Sequence, residues 1–192
     1  MTIIDAHTHL FPEEIRQNRE KFFSVEPAFQ KLYQSPKSRL IGTQEMLASM
    51  DANHVDKAVI FGFPWQNSRL FKQNNDYISE VVGRYPDRFI GLACFDPFSD
   101  EASEEARRCL QKGALSGIGE LAFYQFCIEN DSVARLEPVM EICRVAGLPV
   151  LIHTNEPIGH AYPGKTPNTL AQIYQLIRTF PQNKIILAHW GG

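Results

Sequence analysis

The 192-residue sequence lacks the features that are typical of membrane, nucleic-acid-binding and secreted proteins. No stretch approaches about eighteen uninterrupted apolar residues, the length that a membrane-spanning helix needs. The 19 basic residues form no block and are outnumbered by 22 acidic ones, so nucleic acid is not expected as a partner. The first residues have neither the positive nor the apolar region of a secretory signal, and we therefore expect a cytoplasmic location.

Cysteine is also scarce, and its spacing argues against a metal site made of thiolates. The four cysteines are scattered through the chain, at Cys94, Cys109, Cys127 and Cys143. Without a Cys-x-x-Cys pair, neither a thiolate site nor a disulfide framework is expected, and buried or free thiols are the simpler interpretation. The remaining composition, 44% hydrophobic and 21% charged, is ordinary for a globular protein. We expect one domain over residues 1–192.

Apolar segments with the length of strands alternate with segments that have helical spacing. The strands are expected at residues 2–5, 57–61, 88–94, 117–121, 149–153 and 184–189. The helices between them are expected at residues 43–53, 75–85, 100–113, 132–146 and 168–180, with Thr43 as the cap of the first. Residues 10–42 form an elaborated loop with short helical pieces. This alternation predicts an α/β fold with a parallel sheet rather than a sandwich or a bundle.

Two histidines lie close together at the end of the first expected strand. The segment reads Asp5-Ala6-His7-Thr8-His9. Because side chains alternate between the two faces of a strand, His7 and His9 project from the same face, where two imidazoles can bind one metal ion. The alternative is that both are solvated loop residues.

Three further polar side chains follow apolar strands at equivalent positions. Glu120 ends residues 117–120, His153 ends residues 149–153, and His189 ends residues 184–189. The carboxyl ends of parallel strands share one rim, where active sites of such folds lie. Each histidine alone has a structural alternative, but their shared placement favours one metal site. Imidazole and carboxylate ligands suit zinc and also manganese or iron.

These motifs resemble those of the amidohydrolase superfamily, in particular its amidohydrolase-related branch, also called amidohydrolase-2. The resemblance spans the chain and lies in Ile4-Asp5-Ala6-His7-Thr8-His9, Gly117-Ile118-Gly119-Glu120-Leu121, Val150-Leu151-Ile152-His153-Thr154 and Ile186-Leu187-Ala188-His189-Trp190-Gly191-Gly192. It implies a TIM-type (β/α)8 barrel in which His7, His9 and His153 bind a divalent metal, most simply zinc. It also implies that His189 is a ligand or a base, and that Glu120 bridges two ions or orients one.

The sequence departs from this family in two related ways. The family's last ligand is an aspartate at the end of strand eight, and this sequence stops three residues after His189. A full barrel needs about 250 residues, so roughly 60 are expected to be missing and only about six βα units to be present. An open sheet of this kind exposes its edges, so we expect a homo-oligomer or a completing chain to cover them.

The resemblance implies chemistry on a small-molecule substrate. A divalent ion lowers the pKa of bound water from about 15.7 toward about 7, which suits a hydrolase of small amides, esters or lactones. In that interpretation His189 and Glu120 are the catalytic residues. The first alternative is a decarboxylase of a small unsaturated or aromatic acid. The second is an inactive remnant that serves as a binding or structural module.

Candidate substrate-binding residues come from the loops that follow the strands, since such loops carry specificity. The loop at residues 154–165 offers His160, Tyr162 and Lys165, with a solvated loop as the alternative. Trp65, which follows the second strand, is expected either to line the pocket or to pack against the long first loop. His54 precedes the second strand at the opposite rim, and we interpret it as structural.

Overall fold

Six parallel strands form one sheet in the order in which they follow along the chain, in a computed structural model that describes residues 1–124 and 128–192. The strands are β1 (Ile4–His9), β2 (Lys57–Phe61), β3 (Phe89–Ala93), β4 (Leu115–Leu121), β5 (Pro149–Ile152) and β6 (Lys184–Leu187). Every neighbouring pair is parallel. A sequential order of this kind belongs to a barrel, whereas a doubly wound sheet reverses its order. The sheet is a curled half-barrel, which confirms the expected fold class.

Helices occupy the connections between the strands, as the sequence predicts. They are α1 (Glu13–Gln17), α2 (Pro27–Tyr33), α3 (Thr43–Ala52), α4 (Ser68–Arg84), α5 (Ala102–Gln111), α6 (Asn130–Ala146) and α7 (Leu170–Thr179), with 3-10 turns at Arg19–Phe22 and His189–Gly191. The helices start within two residues of the expected positions, apart from α4, and the cap of α3 also differs from expectation. Gly42 rather than Thr43 is the cap of α3, and α4 begins seven residues early because the Asn67 side chain accepts a hydrogen bond from the Arg69 N–H.

The first loop packs its aromatic side chains against the segment that follows β2. Phe11 and Phe29 from the loop contact Trp65, and the Phe29 and Trp65 ring centroids are 4.5 Å apart. Trp65 is completely buried, and its indole N–H donates to the Asn74 carbonyl oxygen on α4 at 3.0 Å. The Asn74 amide in turn donates to the Leu10 carbonyl oxygen at 3.1 Å. The long loop is therefore an integral part of the core.

A smaller group of buried side chains fills the concave side of the sheet. It consists of Phe61, Leu92, Cys94, Leu151 and Ala188. These residues come from four different strands or their ends, as is usual for the interior of a βα barrel. The packed layer supports whatever lies at the carboxyl ends of the strands above it.

The two outer strands leave apolar side chains exposed. Ile4 on β1 is 50% exposed and Ile186 on β6 is 49% exposed.

No helix in the described parts of the chain is long and apolar enough to cross a membrane. Three cysteines are buried and free, as expected, at Cys94, Cys109 and Cys143. Cys127 lies outside the described residues.

Replacing Asn74 by alanine tests the packing of the first loop. The change leaves the buried Trp65 N–H and Leu10 carbonyl without partners, so we expect a loss of about 2–4 kcal/mol in the free energy of unfolding. Urea unfolding followed by tryptophan fluorescence measures it. Arg69→Ala, on the exposed side of the same helix, is the control and should stay within about 0.5 kcal/mol. Equal stabilities of the two variants would contradict the bridging role of Asn74.

Candidate metal centre

Four histidines and one glutamate converge at the carboxyl ends of the strands. His7 and His9 lie in the carboxyl-terminal half of β1, and Glu120 is the next-to-last residue of β4. His153 directly follows β5, and His189 begins the 3-10 turn after β6. The fold thus brings together all five residues that the sequence predicts as metal ligands, because each lies at the carboxyl end of a strand. Their binding of a metal remains a prediction.

Glu120 is the centre of this arrangement. Its side chain is almost completely buried, and its Oε2 atom lies 3.4 Å from Nε2 of both His7 and His9. Its Oε1 atom lies 2.9 Å from His153 Nδ1 and 3.5 Å from His189 Nε2. Oε2 therefore faces the two imidazoles of β1, and Oε1 faces the imidazoles that follow β5 and β6.

The position of His189 differs from the expectation that strand six continues to it. The strand ends at Leu187, and both His189 and Trp190 have positive φ, at 53° and 62°. This left-handed conformation is uncommon for residues other than glycine. It turns the chain out of the sheet, and the His189 ring then lies 5.0 Å from the His7 ring and 5.1 Å from the His153 ring.

Hydrogen bonds select which imidazole nitrogen is available to a ligand. Nδ1 of His9 lies 2.7 Å from the Gly62 carbonyl oxygen. Because a carbonyl oxygen can only accept, this nitrogen carries the ring proton and donates the hydrogen bond. The lone pair of His9 Nε2 then faces the Glu120 carboxylate. Two acceptors that face each other require a cation or a proton between them.

His153 supplies a second sign that the cluster suits a cation. Its Nδ1 faces Glu120 at 2.9 Å, and its buried Nε2 has no hydrogen-bond partner among the residues that the structure describes. Buried polar atoms without partners are rare and need an explanation. A lone pair on His153 Nε2 is the kind of donor that a divalent ion binds.

The charge distribution of the cluster follows from these contacts. Burial raises the pKa of the Glu120 carboxyl, but the polar contacts with the four imidazoles outweigh burial and hold this pKa well below its usual range. The hydrogen bond to Glu120 raises the pKa of His189 against the opposing effect of burial. Glu120 is therefore an anion at neutral pH, and His189 holds its proton more tightly than an ordinary histidine.

The donor set fits a divalent cation. Ligand atoms of His7, Glu120 and His189 all lie within 4.8 Å of one another, with His9 and His153 beside them. Imidazole nitrogen and carboxylate oxygen together suit zinc, manganese or iron. The site can hold one such ion among these side chains.

The candidate substrate-binding residues are not gathered at one place. Trp65 is in the core, where it makes the contacts with the first loop that the alternative interpretation predicts. Tyr162 donates to the Glu156 carboxylate at 2.9 Å, and the Lys165 amine lies 3.4 Å from the same group. His160 is exposed on the same loop, near Tyr162. Polar groups of this loop therefore pair with one another, and contact between the loop and a substrate remains a prediction.

Several residues near the cluster were not identified from the sequence. The Phe61 ring contacts the rings of His7 and His9 at centroid distances of 4.9 and 4.7 Å. The Cys94 thiol donates to the backbone carbonyl of Glu120 at 3.1 Å. Tyr124 lies with its ring centroid 5.6 Å from that of His153. Phe61 and Cys94 each lie at a strand end, but neither carries the ionisable oxygen or nitrogen that marks the other five positions.

The curled parallel sheet and the histidine–carboxylate cluster on its rim define a βα-barrel protein with a site suited to a divalent metal. The sequence matches the profile of the Amidohydrolase family over residues 4–192. The chain belongs to this family.

Three relatives illustrate the range of the similarity. The 2-amino-3-carboxymuconate-6-semialdehyde decarboxylase of Dictyostelium discoideum is 26% identical over 227 residues, a match that covers 98% of this chain and 63% of that protein. A 5-carboxyvanillate decarboxylase from Novosphingobium aromaticivorans, complexed with manganese and 4-hydroxy-3-methoxy-5-nitrobenzoic acid, has a TM-score of 0.71 at 18% identity, covering 99% of this chain and 65% of that one. A 5-carboxyvanillate decarboxylase from Sphingomonas paucimobilis has a TM-score of 0.70 at 22% identity, covering 99% and 68%. The chain thus spans 63% of the length of the curated relative.

Removing single ligands tests the metal centre. We expect His7→Ala and His153→Ala each to lower the affinity for manganese or zinc by more than about tenfold, because each removes one nitrogen donor. Elemental analysis after equilibrium dialysis measures the bound metal. His54→Ala, which removes an exposed histidine before β2, is the control. Metal contents equal to that of the unchanged protein would show that the ion binds elsewhere.

The raised pKa of His189 predicts how metal binding depends on pH. A histidine binds a cation in its neutral form, so if His189 is a ligand its proton must leave when the ion binds. Because this pKa is raised, the proton stays on above the ordinary value of about 6.5, and affinity should still be increasing with pH beyond that value. Competition with a chelating dye between about pH 6 and about pH 9 measures the profile. His189→Ala should shift its midpoint to lower pH, and an unchanged profile would exclude His189 from the site.

Proposed function

We propose that this protein is a metal-dependent decarboxylase that acts on a small unsaturated or aromatic carboxylic acid. The observation that carries the proposal is the pairing of the exposed His189 with the buried Glu120. In this proposal His7, His9 and His153 are the nitrogen ligands of the ion, and His189 is not a ligand but the proton donor. The similarity to decarboxylases of carboxylated aromatic and muconate substrates supports it. A divalent ion, when bound, supplies Lewis-acid binding of the acid's oxygen atoms.

The residues of this chain suit the proton transfer that decarboxylation requires. His189 is the most exposed of the four histidines, so a substrate can reach it, and its hydrogen bond to Glu120 raises its pKa. It would protonate the carbon that bears the carboxylate. The carbon–carboxylate bond then breaks, CO2 leaves, and the electron pair of that bond restores the conjugated system.

The same geometry gives less support to hydrolysis, which needs a base to activate water. The carboxylate that touches all four histidines is Glu120, and its pKa is held well below its usual range. A carboxylate with such a low pKa is a poor proton acceptor at neutral pH. We therefore place the hydrolase interpretation second.

Manganese is the first ion to test. The zinc that the sequence favours and the manganese bound by the Novosphingobium aromaticivorans enzyme both suit a mixture of nitrogen and oxygen donors. Metal-free protein is reloaded with zinc or with manganese, and the activity of the two samples is compared. The ion that restores more activity is assigned to the site.

Measurement of CO2 release tests the function directly. With manganese present, we expect CO2 from 5-carboxyvanillate or from 2-amino-3-carboxymuconate-6-semialdehyde, and no CO2 after chelation. His189→Gln should lower the rate by about 10²–10⁴-fold, because general acid catalysis contributes on that scale. His54→Gln is the matched control and should keep the full rate.

The other outcomes of this assay overturn the proposal in distinct ways. Ester, lactone or amide cleavage without CO2 release assigns a hydrolase. Metal binding without either reaction on the panel assigns a binding module. A His189→Gln variant that retains the full rate removes His189 from the reaction.

A further inference from the structure

Two tyrosines that the metal cluster does not use lie beside it. Tyr124 follows β4, four residues after Glu120, and its ring is 5.6 Å from that of His153. Tyr124 also stacks on the ring of Phe63, with the ring centroids 6.0 Å apart and an interplanar angle of 11°. Tyr124 is thus held between the metal cluster and the aromatic core.

Tyr33 reaches the same region from the first loop. It is the last residue of α2, and its ring packs against Phe29 at 4.9 Å and against Phe63 at 6.0 Å. Phe63 therefore joins the two tyrosines, one from the first loop and one from the segment after β4. The three rings form a continuous aromatic wall that begins at His153.

The hydroxyl groups of this wall are available to a ligand. Both tyrosines are partly exposed, and neither hydroxyl has a hydrogen-bond partner within residues 1–124 and 128–192. Tyrosine hydroxyls in such apolar surroundings usually find a partner. Burial, followed by the negative charge of Glu120, raises the pKa of both phenols, so they remain proton donors.

We propose that Tyr33 and Tyr124 are specificity-determining residues, whose hydroxyls donate hydrogen bonds to a polar substituent of a planar acid that lies beside these two rings with its carboxylate end at the histidine cluster. This inference rests on the proposed function and narrows its substrate class to ring or diene acids that carry a hydroxyl, methoxy or carbonyl group away from the reacting carboxylate. An apolar wall with a few placed polar groups is the usual design of a small-molecule site.

The test compares two ligands that differ only in their polar substituents. Isothermal titration of manganese-loaded protein measures binding of 3,4-dihydroxybenzoate and of benzoate. We expect Tyr33→Phe and Tyr124→Phe each to weaken binding of the dihydroxy acid by about 3- to 10-fold, since each removes one hydrogen bond. Binding of benzoate should change by less than about twofold. Tyr174→Phe, on the exposed face of α7, is the matched control.

Thermal unfolding and metal content identify any variant whose structure has changed, and the double phenylalanine variant then repeats the test. Equal weakening of both ligands, or of neither, overturns the proposal. Selective weakening without any CO2 release leaves the tyrosines as binding residues and removes the decarboxylase assignment. CO2 release without selective weakening keeps the decarboxylase and removes the tyrosines.

Discussion

The buried carboxylate of Glu120 is the constraint on which the rest of the site depends. A charge that is removed from water is costly unless charged or hydrogen-bonding partners surround it. Here the partners come from three other strand ends, two of them from β1 and one each from β5 and β6. The sheet must therefore hold its register across its full width for the cluster to form. A shift of β1 would remove two of the four partners, and a shift of β5 or β6 would remove one.

The layer beneath the cluster explains why the rim keeps this geometry. Phe61 contacts both histidines of β1 from below, and the Cys94 thiol binds the backbone of Glu120. Both side chains also belong to the buried group on the concave side of the sheet. The same packing that stabilises the half-barrel thus orients the imidazole rings, so fold stability and site geometry share their contacts.

Apolar runs and strand-end polar residues were enough to predict the sheet and the cluster, because both depend on short-range patterns. Residues 57–61 match β2 in full, and the strand-end rule finds Glu120 and His153. Long-range packing is what the patterns cannot show. Tyr33 reaches the site only because the irregular first loop packs on Phe63, and Trp65 is drawn into the core by contacts with that same loop.

The exposure of the four histidines shows which side of the cluster is open to solvent. The side chain of His153 is 10% exposed, those of His9 and His7 are 25% and 28% exposed, and that of His189 is 48% exposed. The open side is therefore at His189, and the closed side is at His153, where the aromatic wall begins. In the proposed reaction, an acid that enters past His189 would bring its polar substituent to the tyrosines and leave its carboxylate end near His189, the histidine that solvent and substrate reach most easily.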